Sequence, residues 1–425
     1  MRGSVPFLSI KSRSKATVTF FLTLSTQSVL DAKIEAHSVF VSHTASNPIL
    51  NWNKRTSEVV LTTISHCVLI LLSLCEPCVA LFSLRQKTSK IISAYIINVI
   101  FAFMENNQKP ALCALLGIEF PVIMAPMFLV SNEAMIIEAV RSGITGAIPA
   151  LNYRSSDELR EGIRRMKATV GGPIGINLIV NKSNFLYKEQ LKICCEERVD
   201  YIITSLGSPE ETIREAHQVG TKVFCDVTDV KYALKVEALG ADAVIAVNKE
   251  AGGHAGNISY KELIPELLKN CKIPVISAGG IGTGEGIHEM INLGAAGVSM
   301  GSIFIASEEA GVSLEYKQAC VDYGAKDIVL TTKLSGTPCT VINTPYVQKV
   351  GTRQNWFERM LNKNKRLKKW VKAMVFLRGM KHLEKAAFSS TYKTVWCAGP
   401  SIEHVKGILP VKEIVARLKD GYARN

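Results

Sequence analysis

Eight short apolar runs, each followed by a segment of helical length, constrain this chain more than any other feature. The runs are residues 120–125, 144–149, 174–180, 201–205, 222–227, 243–247, 274–278 and 297–300. They are rich in β-branched residues, as buried strands are, and the segments between them carry an amphipathic helical pattern. Helical segments open on N-cap residues or first-turn acids at Ser131-Asn132-Glu133, Ser155-Ser156-Asp157-Glu158 and Ser208-Pro209-Glu210-Glu211. Several close on a glycine: Gly143, Gly220, Gly240 and Gly294. The phrases Gly240-Ala241-Asp242-Ala243-Val244 and Gly294-Ala295-Ala296-Gly297-Val298 repeat one handover from helix to strand. Consecutive units of this kind spell an α/β chain, a (β/α)8 TIM barrel over residues 104–320. Residues 321–425 read as a mainly helical C-terminal cap or lid. A doubly wound open sheet is the alternative, disfavoured because eight units in succession close more readily than they stay open.

In such a barrel, chemistry sits on the loops that follow the strands. The sixth run leads into Glu250-Ala251-Gly252-Gly253-His254-Ala255-Gly256. Gly252 and Gly253 let backbone approach a flat ligand, and His254 is presented from a crowded turn. Histidine moves protons near neutral pH, so His254 is the catalytic candidate. A glycine turn carrying an exposed imidazole is the bland alternative. The first run ends in Ala125-Pro126-Met127, where proline stiffens the exit beside a ring system. Asn177, an amide within an apolar strand, needs partners: either a hydrogen bond inside the barrel or a ligand. The seventh and eighth runs end in Ala278-Gly279-Gly280-Ile281-Gly282 and Gly301-Ser302. Loops seven and eight are the usual phosphate cradle of this fold, so a phosphorylated cofactor is expected near Gly279, Gly280, Gly301 and Ser302. The sequence contains no GxSxG elbow, no P-loop and no carboxylate pair assignable to adjacent strand ends. His217, His288, His382 and His404 fall in helical or tail segments and read as surface or packing residues.

A net charge of +13 admits an anionic partner, but the charge is uneven: residues 1–103 hold ten Lys/Arg against four Asp/Glu, another basic run covers 363–372, and the central stretch is closer to balance. No basic motif interleaved with aromatics appears, which argues against nucleic acid. The 11 cysteines are odd in number and irregular in spacing, so a disulfide framework is not expected and a reducing, cytoplasmic setting is. Cys75 and Cys78 form a CxxC that lacks the second half of a zinc site, and no metal is expected.

Residues 1–103 form an irregular extension with apolar segments at 59–75 and 91–103. Only the first approaches membrane-spanning length, and His66 interrupts it. Two readings stand: a membrane anchor within residues 59–83, or an artefactual extension with translation starting at Met104. The second is preferred, because Met104 leads almost directly into the first strand.

Taken together, PVIMAPM, the GINL strand, EAGGHAG, SAGGIGTG and MGSIF resemble the nitronate monooxygenase family, which also contains flavin-dependent enoyl-acyl-carrier-protein reductases. The resemblance covers roughly residues 118–345, and the stretches Trp396-Cys397-Ala398-Gly399 and Val411-Lys412-Glu413-Ile414-Val415 are similar to the family's closing segment. It implies a barrel binding FMN, with a nitronate and O2 as small-molecule partners and nitrite and a carbonyl compound as products. Carried over to this chain, Ala125, Pro126, Met127 and Ala278 would border the flavin, with Gly252 and Gly253 close by. Asn177 would bond to the cofactor, Gly279, Gly280, Gly301 and Ser302 would hold the phosphate, and His254 would be the active-site histidine. Two positions depart from the family: Asn248 stands where glycine is common, and Ser302 where threonine is usual. Ser302 keeps a hydroxyl, whereas Asn248 bears on the shape of the loop entry and so on the substrate. The alternatives are an FMN-dependent enoyl thioester reductase using NAD(P)H, and a non-catalytic or membrane-tethered scaffold. The sequence leaves a homodimer open.

Overall fold

The computed structural model describes residues 8–11, 17–20, 110–181, 184–332, 338–352 and 395–424. The chain divides into two units, Met1–Ile100 and Phe101–Asn425. In the first, strands Leu8–Lys11 and Thr17–Phe20 pair antiparallel. The apolar runs 59–75 and 91–103, the CxxC, the basic run 363–372, His382 and the cap residues 353–394 lie outside the described residues. Among the described residues no helix is long and apolar enough to cross a membrane, and no cluster of metal-ligating side chains occurs.

The second unit contains a closed barrel of eight parallel strands. These are β1 (Val122–Met124), β2 (Thr145–Pro149), β3 (Ile174–Ile179) and β4 (Tyr201–Ser205), then β5 (Lys222–Val227), β6 (Ala243–Val247), β7 (Val275–Ala278) and β8 (Gly297–Met300). Each strand pairs with its sequence neighbour, and β8 closes the ring on β1 through Val298↔Val122 and Met300↔Met124. The helices after β1 to β7 are α1 (Glu133–Arg141), α2 (Ser156–Thr169), α3 (Tyr187–Glu196), α4 (Glu210–Gln218), α5 (Val230–Ala238), α6 (Tyr260–Asn270) and α7 (Gly284–Asn292). Side chains of Asn132, Ser155, Asp229, Ser259 and Thr283 cap α1, α2, α5, α6 and α7 by accepting backbone N–H bonds. Pro209 precedes α4 without a side-chain cap, and Glu210 and Glu211 complement its N-terminus instead. The handover glycines Gly143, Gly220, Gly240 and Gly294 all have positive φ, the conformation that ends a helix most cheaply.

The strands match the expected runs to within two residues. β1 is the shortest because Pro121 has no ladder donor, and β7 begins after Pro274 for the same reason.

Strand pleat sorts the side chains. Ile123, Ala147, Tyr201, Ile203, Phe224, Ala243, Ile245, Ile276 and Ala278 belong to an apolar cluster distinct from the one facing the helices, and they fill the barrel. Tyr201 stacks on Phe224 with centroids 5.1 Å apart, and a side chain on Gly175 would collide with the Tyr201 ring. The short helix Ala111–Leu116 plugs the lower end, where Leu112 is fully buried and its N–H donates to Ala296. The same period of two turns Asn177, Ser205 and Asp226 inward at the upper rim.

After β8 the chain forms α8 (Leu314–Asp322), a hairpin of β9 (Ile328–Thr331) and β10 (Cys339–Ile342), and α9 (Pro345–Val350). α10 (Val411–Ala423) then packs between α7 and α1, in the place of the eighth barrel helix. Among its described residues the C-terminal extension supplies strand as well as helix: β10 pairs antiparallel with the two-residue strand Gly253–His254.

Candidate functional site

A cavity of about 950 Å³ opens at the C-terminal ends of the barrel strands. The size is at the upper end for a site that takes one cofactor and a small substrate. Ala125, Pro126, Met127, Asn177, Gly252, Gly253, His254, Ala278, Gly279, Gly280, Gly301 and Ser302 all line it. The structure thus brings every singled-out residue to one place.

The loop after β1 is braced from behind. Asn152 Nδ2 donates to the carbonyls of Met127 and Ser131, its Oδ1 accepts from Leu129 N–H, and Ser131 Oγ accepts from Met127 N–H. Ala125 N–H still reaches Met300 across the sheet at 2.8 Å, so Pro126 leaves from a fixed strand end.

The His254 loop is held from two sides. Asn248, fully buried, accepts from Glu250 N–H at 2.9 Å and donates Nδ2 to the Gly279 carbonyl at 3.1 Å. It therefore ties loop six to loop seven. From the other side Thr340 Oγ1 donates to Ala251 O at 2.8 Å, and Cys339 pairs with His254 in the sheet. His254 has accessible area, but that area faces the cavity. The surrounding protein displaces water from the ring and holds its pKa below the usual imidazole value.

Close backbone approach explains the glycines here. A Cβ on Gly252 would lie 2.7 Å from Ser302 Oγ and 2.9 Å from Gly399 N. Gly279 has φ 118°, and a Cβ there would overlap Asn248 Oδ1 and Ala251 N. Past these glycines the chain turns into α7, capped by Thr283, and Gly301 leads into the turn Ser302–Phe304, so Gly279–Ile281 and Gly301–Ser302 line the cavity as two backbone loops. Ser302 Oγ accepts from Gly399 N–H at 2.8 Å, which leaves its own hydroxyl proton to donate.

Asn177 Nδ2 donates to Ile203 O at 3.1 Å and to Ser205 Oγ at 2.8 Å. Both amide protons serve the barrel interior, so the Oδ1 carbonyl is what the residue can offer a ligand. Ser205 in turn donates to Asp226 Oδ2 at 2.5 Å. Burial pushes the Asp226 carboxyl up to about 6, against the opposing pull of the Ser205 hydroxyl. By area Asp226 is only half-buried, but the area it shows faces the enclosed cavity. Tyr232 and Lys235 of α5 also line the cavity.

Asp226, Ser205, Tyr232, Lys235, Thr340 and Gly399 were not singled out in the sequence. Asp226 could have been: it is a carboxylate in the apolar run Lys222–Val227, two residues from the inward Phe224. Thr340 gave no local signal, and Gly399 stood only within the closing stretch without a role, because both act across long sequence separations. Of the other histidines, His217 Nε2 bonds Asp242 at the protein surface and His288 packs edge-on against Tyr422.

With this geometry in place, comparison with known proteins decides the family. The family model for nitronate monooxygenase matches residues 109–421, well over half of the chain. The chain belongs to the nitronate monooxygenase family. It is an oxidoreductase of that family on a TIM-barrel fold. The nitronate monooxygenase of Paraburkholderia phytofirmans is 28% identical over 55% of this chain and 76% of its own length. An octahydroindene carboxyl-CoA dehydrogenase of Rhodococcus jostii is 30% identical over 57% of this chain and 68% of its own. Among solved structures, FabK from Thermotoga maritima superposes with a TM-score of 0.65 at 30% identity, covering 74% of this chain and 96% of that one.

Proposed function

We propose that this family member binds FMN and oxidises alkyl nitronates with O2 to carbonyl compounds and nitrite. The observation that carries the reading is the cavity itself: His254, whose pKa burial lowers, lines the same space as the two glycine loops Gly279–Ile281 and Gly301–Ser302. The residues fit a flavin phosphate. The cradle at Gly252, Gly279 and Gly301 is bare backbone, and a Cβ at Gly252 or Gly279 would break its packing. Amides after Gly280 and Gly301, with the Ser302 hydroxyl, would hold the phosphate. Ala125, Pro126, Met127 and Ala278 would border the ring, and Asn177 Oδ1 would accept from a ring N–H.

The bound flavin would supply electron transfer from substrate and the reaction with oxygen. His254 would do the acid–base work. As a neutral imidazole it can take the α-proton of a nitroalkane, and as an imidazolium it can hold the resulting anion. The 2.9 Å staple from Asn248 to Glu250 N–H and the Thr340 bond fix the loop, so the ring has little conformational entropy to lose on meeting substrate. The reduced cysteines of the described residues fit a cytoplasmic enzyme.

A second reading keeps the fold and cofactor but acts on an acyl thioester with NAD(P)H. Lys235 and Tyr232 at the cavity lining favour it, because an ammonium there suits the phosphate of a carrier or coenzyme. Turnover separates the two. FMN-loaded enzyme mixed with ethyl nitronate should consume oxygen and release nitrite, and His254→Ala should keep the flavin yet lose roughly 10²- to 10⁴-fold in kcat with nitroalkane. Unchanged turnover in the variant removes His254 from the reaction, and absence of nitrite from the wild type removes the nitronate reading.

A further inference from the structure

Two thiols, Cys339 and Cys397, meet in the cavity wall. Cys339 opens β10, and Cys397 lies in the strap 395–399, which bridges back to that strand through Val341↔Cys397. Residues two apart along a strand share a face, so the cysteines are diagonal neighbours on one side of this ladder. Their Sγ atoms are 3.7 Å apart, and both residues line the cavity. Cys339 is almost fully buried, and Cys397 is half-buried.

The pair is asymmetric. The hydrogen bond with Cys397, together with burial, keeps the Cys339 thiol protonated well above its ordinary range. Either sulfur can donate to the other, and Cys397, the more exposed of the two, is the one that a small oxidant from the cavity meets first.

We propose that Cys339 and Cys397 are a redox pair, closed to a disulfide by hydrogen peroxide and reopened by a dithiol. The Cys397 thiolate attacks peroxide and the O–O bond breaks. One oxygen stays on sulfur as sulfenic acid, and the other leaves as hydroxide and becomes water. The Cys339 sulfur then attacks the sulfenic sulfur, its proton leaves with the displaced hydroxyl as a second water, and two electrons have passed from the pair to the peroxide. The sulfurs must approach from 3.7 Å to a bond of about 2.05 Å, which draws the strap towards β10. That strap is tied to the site by the Tyr316 hydroxyl, which donates to Cys397 O, and by Gly399 N–H, which donates to Ser302.

The proposal concerns the protein alone and stands apart from the flavin reading. Reduced, full-length protein is exposed to equimolar hydrogen peroxide, quenched with catalase, denatured, alkylated and peptide-mapped by mass spectrometry. The expected product is one cross-linked pair joining Cys339 and Cys397, lighter by two hydrogens and abolished by dithiothreitol, with Cys113, Cys194 and Cys320 recovered alkylated. Cys339→Ser should leave a sulfenic acid on Cys397 that dimedone captures, while the wild-type map depends on no variant folding. Recovery of both cysteines as thiols, over-oxidation of Cys397 without a bridge, or a bridge to another cysteine each overturns it.

Discussion

At the residue scale the site depends on polar groups placed where water is scarce. Asp226 carries a measurable consequence. Its folded pKa, about 6, lies above the 3.8 of an unperturbed carboxyl, so the folded state binds that proton more tightly. Between these values stability therefore falls as pH rises, and the penalty is fully present above the folded pKa. Asp226→Asn can still accept from Ser205, so it should stabilise the cofactor-free protein at pH 8 by up to about 3 kcal/mol, a gain that fades towards pH 4. Denaturant unfolding at the two pH values checks this, and an equal effect at both would contradict it. Asn248 works the other way. Asn248→Ala leaves Glu250 N–H and the Gly279 carbonyl without their partner in a buried place. The expected loss is about 1–3 kcal/mol, read as a lower unfolding free energy together with weaker flavin retention. The strand alternation that makes Asn177 legible from sequence applies equally to Asp226, which sits at the same inward parity on β5. Asn248 was legible only as a departure from the family, since its bonds join two loops about 30 residues apart.

At the element scale the closing helix does the most. α10 buries Val411, Val415 and Leu418 against α7 and α1, each worth about 1.5–3 kcal/mol. It comes so close to α7 that a Cβ on Gly284 would lie 2.2 Å from both Leu418 O and Tyr422 N. Backbone atoms cannot yield as a flexible side chain would, so Gly284→Ala should cost about 1–3 kcal/mol or more and lower Tm. A Tm equal to wild type would show that the two helices move apart freely. Tyr422 adds an edge-on contact with Phe120 at 5.3 Å, binding the end of the chain to the start of the barrel. The strands and the first seven helices were legible because each is a local pattern bounded by proline or glycine. The identity of the eighth helix was not, because it lies more than 100 residues after β8. Nor was the β9–β10 hairpin. Its partner strand is two residues long and carries no alternation from which to read pairing.

At the scale of the whole molecule, a barrel filled by Tyr201, Phe224 and their neighbours supports a rim of loops that carry the chemistry. The rim is then closed from outside by segments far along the chain: Cys339 and Thr340 at the His254 loop, and Gly399 at Ser302. The singled-out residues converge because the barrel gathers the C-terminal ends of all its strands, a property of the fold that local motifs already imply. What closes the site needed three dimensions, since pairing between distant segments leaves no periodic trace in either one. The most direct measurement is an anaerobic titration of full-length, FMN-loaded protein, with ethyl nitronate in one cell and NADPH in another, followed through the visible flavin band. The account predicts bleaching by the nitronate and none by NADPH. Bleaching by NADPH alone would contradict it and make the protein a thioester reductase.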